Sequence, residues 1–99
     1  MSTELASKID TTFIFKRPKK YKVILMNDDL TPMEFVIEIL IGIFNKSSTE
    51  AQEITYAVHH NGSGIAGIFN YEVAEQKAHE ATNISRNAGF PLSLKLEEE

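Results

Sequence analysis

Residues 21–36, Tyr-Lys-Val-Ile-Leu-Met-Asn-Asp-Asp-Leu-Thr-Pro-Met-Glu-Phe-Val, change character in mid-stretch. "YKVILMN" at 21–27 is rich in β-branched and aliphatic side chains and reads as a strand. Thr31-Pro32-Met33-Glu34 then carries the chemistry of a helix start. Thr31 can cap the amides, Pro32 fits the first helical position, and Glu34 can close a capping box. A strand end and a helix start therefore meet across Asn27, Asp28 and Asp29, an amide and two carboxylates that suit neither element.

The helix is expected to run over about 32–45. Its apolar residues (Met33, Phe35, Val36, Ile37, Ile39, Leu40, Ile41, Ile43 and Phe44) surround nearly its whole circumference, more than one sheet face can bury. Part of that surface should meet another helix, a partner or a ligand. Ser47-Ser48-Thr49-Glu50 repeats the S-x-x-E box and starts a second helix, with Ala51, Ile54, Ala57 and Val58 on one face. Asn61-Gly62 should end it near His60. "GIAGIFN" at 64–70 reads as a strand, and Asn70 can cap a third helix from Tyr71 to about Asn87. There Val73, Ala74, Ala78, Ala81 and Ile84 keep helical spacing. Leu92, Leu94 and Leu96 alternate at period two in 91–99, marking a last strand with one buried face. Residues 1–20 read as a flexible extension and 21–99 as the core domain. The order β-α-α-β-α-β predicts an α+β two-layer sandwich, three helices packed on one face of a three-stranded antiparallel sheet.

A chain of 99 residues holds one core. Its net charge of −4 argues against a nucleic-acid binder, which needs a basic face for phosphate. The basic run Lys16, Arg17, Lys19, Lys20 and Lys22, interrupted by Pro18, reads as a solvated surface. With no cysteine there is no disulfide, thiolate metal site or cysteine nucleophile, which fits a reducing compartment. The N-terminus lacks an apolar leader core, and "FVIEILIGIF" at 35–44 is far short of the ~20 residues of a membrane span. A soluble, cytoplasmic protein is expected, with no membrane or nucleic-acid partner.

Asn27-Asp28-Asp29 admits two readings. One is an Asx-turn whose carboxylate favours the helix N-terminus. The other is a site for a small cation. His59, at the end of the second helix, can join the amide and carboxylates as a neutral acceptor, with Met33 and Val58 as apolar neighbours. Metal fits poorly, because no H-x-x-H or E-x-x-H spacing occurs and adjacent His59 and His60 point ~100° apart on a helix. No serine has a plausible base, so no enzyme, metal or cofactor is expected. His79 reads as surface.

The block at 21–36, Ala57-Val58-His59-x-x-Gly62 and Tyr71-Glu72-Val73-Ala74-Glu75-x-Lys77 together resemble the ClpS family, bacterial adaptors of the N-end rule pathway. The likeness is collinear from about Tyr21 to the end. It implies a non-catalytic, monomeric adaptor. Such an adaptor binds substrates with an N-terminal Leu, Phe, Tyr or Trp, the N-degron, and delivers them to the N-terminal domain of the AAA+ unfoldase ClpA of the ClpAP protease. By that resemblance Asn27, Asp28, Asp29 and His59 hold the α-amino group. Thr31, Met33, Val36, Thr55, Val58 and Leu92 form the hydrophobic pocket, with Met33 as a gate against β-branched side chains. Glu72 and Lys77 face the unfoldase, and residues 1–20 promote handover. Thr55, Leu30 and Ala66 depart from residues common in the family, and Thr55 gives a smaller, more polar pocket wall. The competing reading is a structural interaction module without amine recognition, in which the polar triplet is only a turn.

Overall fold

The computed structural model describes residues 18–99. Strand β1 spans Lys20–Met26, helix α1 Met33–Gly42, helix α2 Ser48–Asn61, strand β2 Ser63–Asn70, helix α3 Tyr71–Asn87 and strand β3 Ser93–Glu98. The order is β-α-α-β-α-β, as expected, and the sheet is antiparallel with β1 at its centre, β2-β1-β3. The bulk of the expected 1–20 extension lies outside the described residues; Lys20 already opens β1. Of the basic run, Lys19 pairs with Glu98 at 3.6 Å in an exposed contact.

Alternation along β1 sets the layers. Val23 and Leu25 are fully buried and face Leu96 and Leu94 across the β3 pairing. On the other side, pairing with β2 slips between Val23 and Ile24, and the extra residue, Ala66, goes into the core. Helix α3 lies across all three strands, α2 packs on β2, and α1 packs on α2. The apolar excess of α1 is thus largely absorbed by helix–helix contact. Val36, Ile39 and Leu40 are buried, Phe35 meets Phe90 edge-on at 4.8 Å, and Met33 and Ile41 stay exposed.

Four local expectations need correction. Thr31 does not cap α1: Pro32 holds the N-cap position without a side-chain bond, its carbonyl accepts from the amides of Phe35 and Val36, and no capping box forms with Glu34. Helix α1 ends at Gly42 rather than 45, because Asn45 turns into the left-handed region (φ 56°) and the Lys46 amide reaches back to the Leu40 carbonyl. In α3 the buried stripe is Ala74, Ala81 and Ser85, with Ala78 half-buried, so Ile84 falls on the solvent side. The Ser85 hydroxyl donates to the Ala81 carbonyl at 2.7 Å, which satisfies it inside the core. Finally, β3 starts at Ser93. Pro91 has no amide for a ladder, and the Arg86 guanidinium takes the Phe90 and Leu92 carbonyls. By contrast the Ser47–Glu50 box forms in both directions, and Asn70 accepts from the Val73 amide.

Candidate functional site

Asp28 organises the corner between β1 and α1. One carboxylate oxygen accepts from the amides of Leu30 at 2.8 Å and Thr31 at 2.7 Å; the other accepts from the Thr31 hydroxyl at 2.8 Å. This is the Asx-turn geometry, and it removes the Thr31 hydroxyl from helix capping. Partial burial by itself raises the Asp28 carboxyl. The bonds from Thr31 and Leu30, with the Arg86 charge, outweigh it and hold the group below the ordinary carboxylate range. A carboxylate has about four acceptor sites. Oδ1 is filled twice and Oδ2 once, so Asp28 keeps acceptor capacity on Oδ2.

A second corner is brought against the first. Helix α2 ends in Gly62, which at φ 90° adopts a conformation that a side chain would disfavour, and its amide bonds the Val58 carbonyl at 3.0 Å. The Gly62 carbonyl then accepts from the Asn27 amide at 2.9 Å, extending the β1–β2 ladder by one bond. That bond sets the Asn27-Asp28-Asp29 segment beside the last turn of α2, where His59 is exposed.

Between the two corners lies a cavity of about 230 Å³. Asn27, Asp28, Asp29 and His59 give it a polar rim. Its walls are Thr31, Met33 and Val36 on one side and Thr55 and Val58 of α2 on the other. Val36, Thr55 and Val58 are buried, whereas Met33 is 42% exposed at the opening. Among the described residues no side-chain hydrogen bond occupies Asn27, Asp29 or His59, so the rim presents free acceptors above an apolar interior. Among those residues, too, no group of three or more His, Asp or Glu is placed to hold a metal ion.

The structure brings nine of the ten residues expected around the α-amino group and pocket onto this cavity. Leu92 is the exception: it is buried in the core cluster and does not line the cavity, because the Arg86 bonds fix its backbone beneath α3. Glu72 and Lys77 lie away on α3, outside the lining. Glu72 is exposed, while Lys77 is half-buried, its ammonium donating to the Ile43 carbonyl at 2.8 Å with the Phe69 ring 5.4 Å away. Two supporting residues escaped the sequence reasoning. Arg86 acts on Asp28 from α3, and nothing local in the sequence signals it. Gly64 lets β2 approach Val58, and a glycine inside a strand pattern is a recognised sign of close approach.

Comparison with known proteins gives likenesses of three kinds. Residues 16–95 match the family model described as "ATP-dependent Clp protease adaptor protein ClpS". The chain is 46% identical over 98 residues to the ATP-dependent Clp protease adapter protein ClpS of Clostridium acetobutylicum, covering 99% of this chain and 97% of that one. It is 50% identical over 82 residues to the protein of the same name from Campylobacter jejuni, covering 83% and 85%. Among solved structures, Agrobacterium tumefaciens ClpS2 bound to L-phenylalaninamide superposes with a TM-score of 0.81 at 42% identity, over 84% of this chain and all of that one.

Proposed function

Since the chain belongs to the ClpS family of Clp protease adaptors, we propose that its cavity receives the free N-terminal residue of a protein destined for degradation. The carrying observation is the cavity's polarity gradient: free acceptors at the rim, apolar walls below, and a volume of about 230 Å³. Ligand sites for drug-sized molecules span ~300–1,000 Å³, so this one suits a single side chain rather than a peptide. The solved relative's ligand, L-phenylalaninamide, has the same three parts: an ammonium, an amide and one large apolar side chain.

An α-amino group has an ordinary pKa of ~7.7–8 and is largely charged at neutral pH. Asn27, His59 and the open site on Asp28 Oδ2 accept from it, and Asp29 adds charge at the rim. Met33, Val36 and Val58 enclose the side chain, which is Leu, Phe, Tyr or Trp. Burying such a side chain yields ~1.5–3 kcal/mol, well below the ~8 kcal/mol of a micromolar complex. The charge-assisted bonds to the ammonium, each ~1.5–3 kcal/mol, are therefore required as well. Delivery is to the N-terminal domain of a ClpA-type unfoldase, with exposed Glu72 and half-buried Lys77 on α3 as the docking contacts and residues 1–20 assisting transfer. The adaptor acts as a cytoplasmic monomer and performs no catalysis of its own.

Fluorescence polarisation tests the reading with a labelled peptide beginning Phe-Arg, beside its N-acetylated form. Micromolar or tighter binding is expected for the free amine, and its loss on acetylation. Asn27→Ala and His59→Ala should each weaken binding about tenfold or more. Equal binding of the free and acetylated peptides refutes amine recognition.

A further inference from the structure

Thr55 is the one feature of the cavity wall that apolar enclosure does not account for. Its side chain lines the cavity and is 4% exposed. Its hydroxyl is buried and bonds no partner; neither the Ala51 carbonyl, four residues back, nor that of Gln52 accepts from it. Helical threonines ordinarily satisfy the hydroxyl on one of those two carbonyls. A buried polar group left unpaired is unusual and is relieved when a partner arrives.

The position of that hydroxyl decides which partner can reach it. Thr55 and His59 stand four residues apart on α2, on one face of the helix. His59 is exposed at the rim and Thr55 is buried, one helical turn or ~6 Å of rise away on the same helix. That separation is close to the reach of a tyrosine from its α-carbon to its phenolic oxygen. In a pose that runs along α2, a ligand whose ammonium sits among Asn27, Asp28 and His59 would bring a para-hydroxyl to the level of Thr55. A phenylalanine or leucine in the same pose ends in carbon there and seals the hydroxyl away without a partner.

We propose that Thr55 is a specificity-determining residue, a hydroxyl that pairs with the phenolic group of an N-terminal tyrosine. It does so by a turn about χ1, for which threonine in a helix has two accessible rotamers. This rests on the proposed binding of free N-terminal residues and adds to it a ranking: the cavity discriminates tyrosine from phenylalanine by the wall, not by the rim.

The test uses the full chain and three peptides identical after the first residue, beginning Tyr, Phe or N-acetyl-Phe. Affinities are measured for wild type, Thr55→Val, which keeps the shape and removes the hydroxyl, and Thr55→Ser, which keeps the hydroxyl. The ratio of tyrosine to phenylalanine affinity is expected to be about tenfold higher in the wild type than in Thr55→Val. Thr55→Ser should stay near the wild-type ratio even if its overall binding falls. A ratio unchanged within about twofold in Thr55→Val, with free-amine binding retained, overturns the proposal and assigns the hydroxyl to its own helix. Failure of both free-amine peptides to bind the wild type overturns the underlying reading and this one together, so the two failures are told apart.

Discussion

Asp28 forms the turn and also lines the cavity, so the turn and the proposed site do not exclude each other. Its three bonds to Leu30 and Thr31 shape the connection between β1 and α1, and Oδ2, which accepts one bond, keeps acceptor capacity in a residue that lines the cavity. Because the fold lowers its pKa, the charged form is the one the fold favours. Its contribution to stability is therefore fully present above the ordinary value near ~3.9 and is lost as pH falls through the lower, folded value. Asp28→Asn keeps an acceptor for the amides but loses the charge. It should cost about 1 kcal/mol at neutral pH, lowering Tm by about 4–8 °C. Thermal melts at stepped pH should show the gap between wild type and variant closing only as pH falls below the ordinary carboxylate value of ~3.9. A gap constant from about pH 6 to about pH 2 would mean that the charge contributes nothing. The sequence displayed Asp28 and Thr31 plainly but not their pairing with each other. Thr31 before a proline reads as a cap, and only the nearby carboxylate, which competes for its hydroxyl, reverses that.

At the scale of elements, the sequence was most informative where side chains act on their own neighbours. The Ser47–Glu50 box, the Asn70 cap and the Gly62 terminator all depend on contacts within four residues, and each stands where the pattern put it. Errors arose where distant groups decide. The end of α1 depends on the Asn45 backbone and on Lys77 from α3 reaching the Ile43 carbonyl. The buried face of α3 depends on small residues meeting the sheet, which favours Ser85 over the bulkier Ile84. The approach of β2 to α2 belongs to this class as well. A Cβ on Gly64 would stand 2.8 Å from the Val58 Cγ2 methyl and 3.3 Å from the Ile54 carbonyl oxygen. Val58 is β-branched and stiff in a helix, and it is a wall of the cavity. Gly64→Ala should therefore destabilise by about 1–3 kcal/mol and weaken ligand binding, although it touches no ligand. Gly42→Ala, with nothing within 4 Å, is the control and should be neutral or slightly stabilising. Chemical denaturation and peptide titration of the two variants check this. If Gly64→Ala binds and melts like the wild type, the tight approach does not shape the pocket.

For the molecule as a whole, the cavity exists only because two segments distant in sequence, 27–36 and 55–59, converge. The Asn27 amide and Gly62 carbonyl join the end of β1 to the end of α2, and Val36 of α1 and Val58 of α2 belong to both the cavity and the central core. Nine residues that line the cavity could be named from the family resemblance, while the joining bond is a long-range sheet contact that periodicity does not encode. Leu92 illustrates the same limit, since its place in the core rather than at the cavity is set by Arg86 from another element. Sharing of residues between cavity and core makes binding and global folding one linked equilibrium. L-phenylalaninamide at a hundredfold excess over its Kd should stabilise the protein by ~2.7 kcal/mol, raising Tm by about 10–20 °C. The whole transition should shift without broadening, because no unfolded chain keeps the cavity. N-acetyl-phenylalaninamide should leave Tm unmoved, and Asn27→Ala should shrink the shift while leaving its direction. Calorimetry supplies both midpoint and width. A ligand that binds isothermally but does not move the midpoint would show that the two corners part before the core melts, and the cavity would then be a separately opening unit rather than a part of the core.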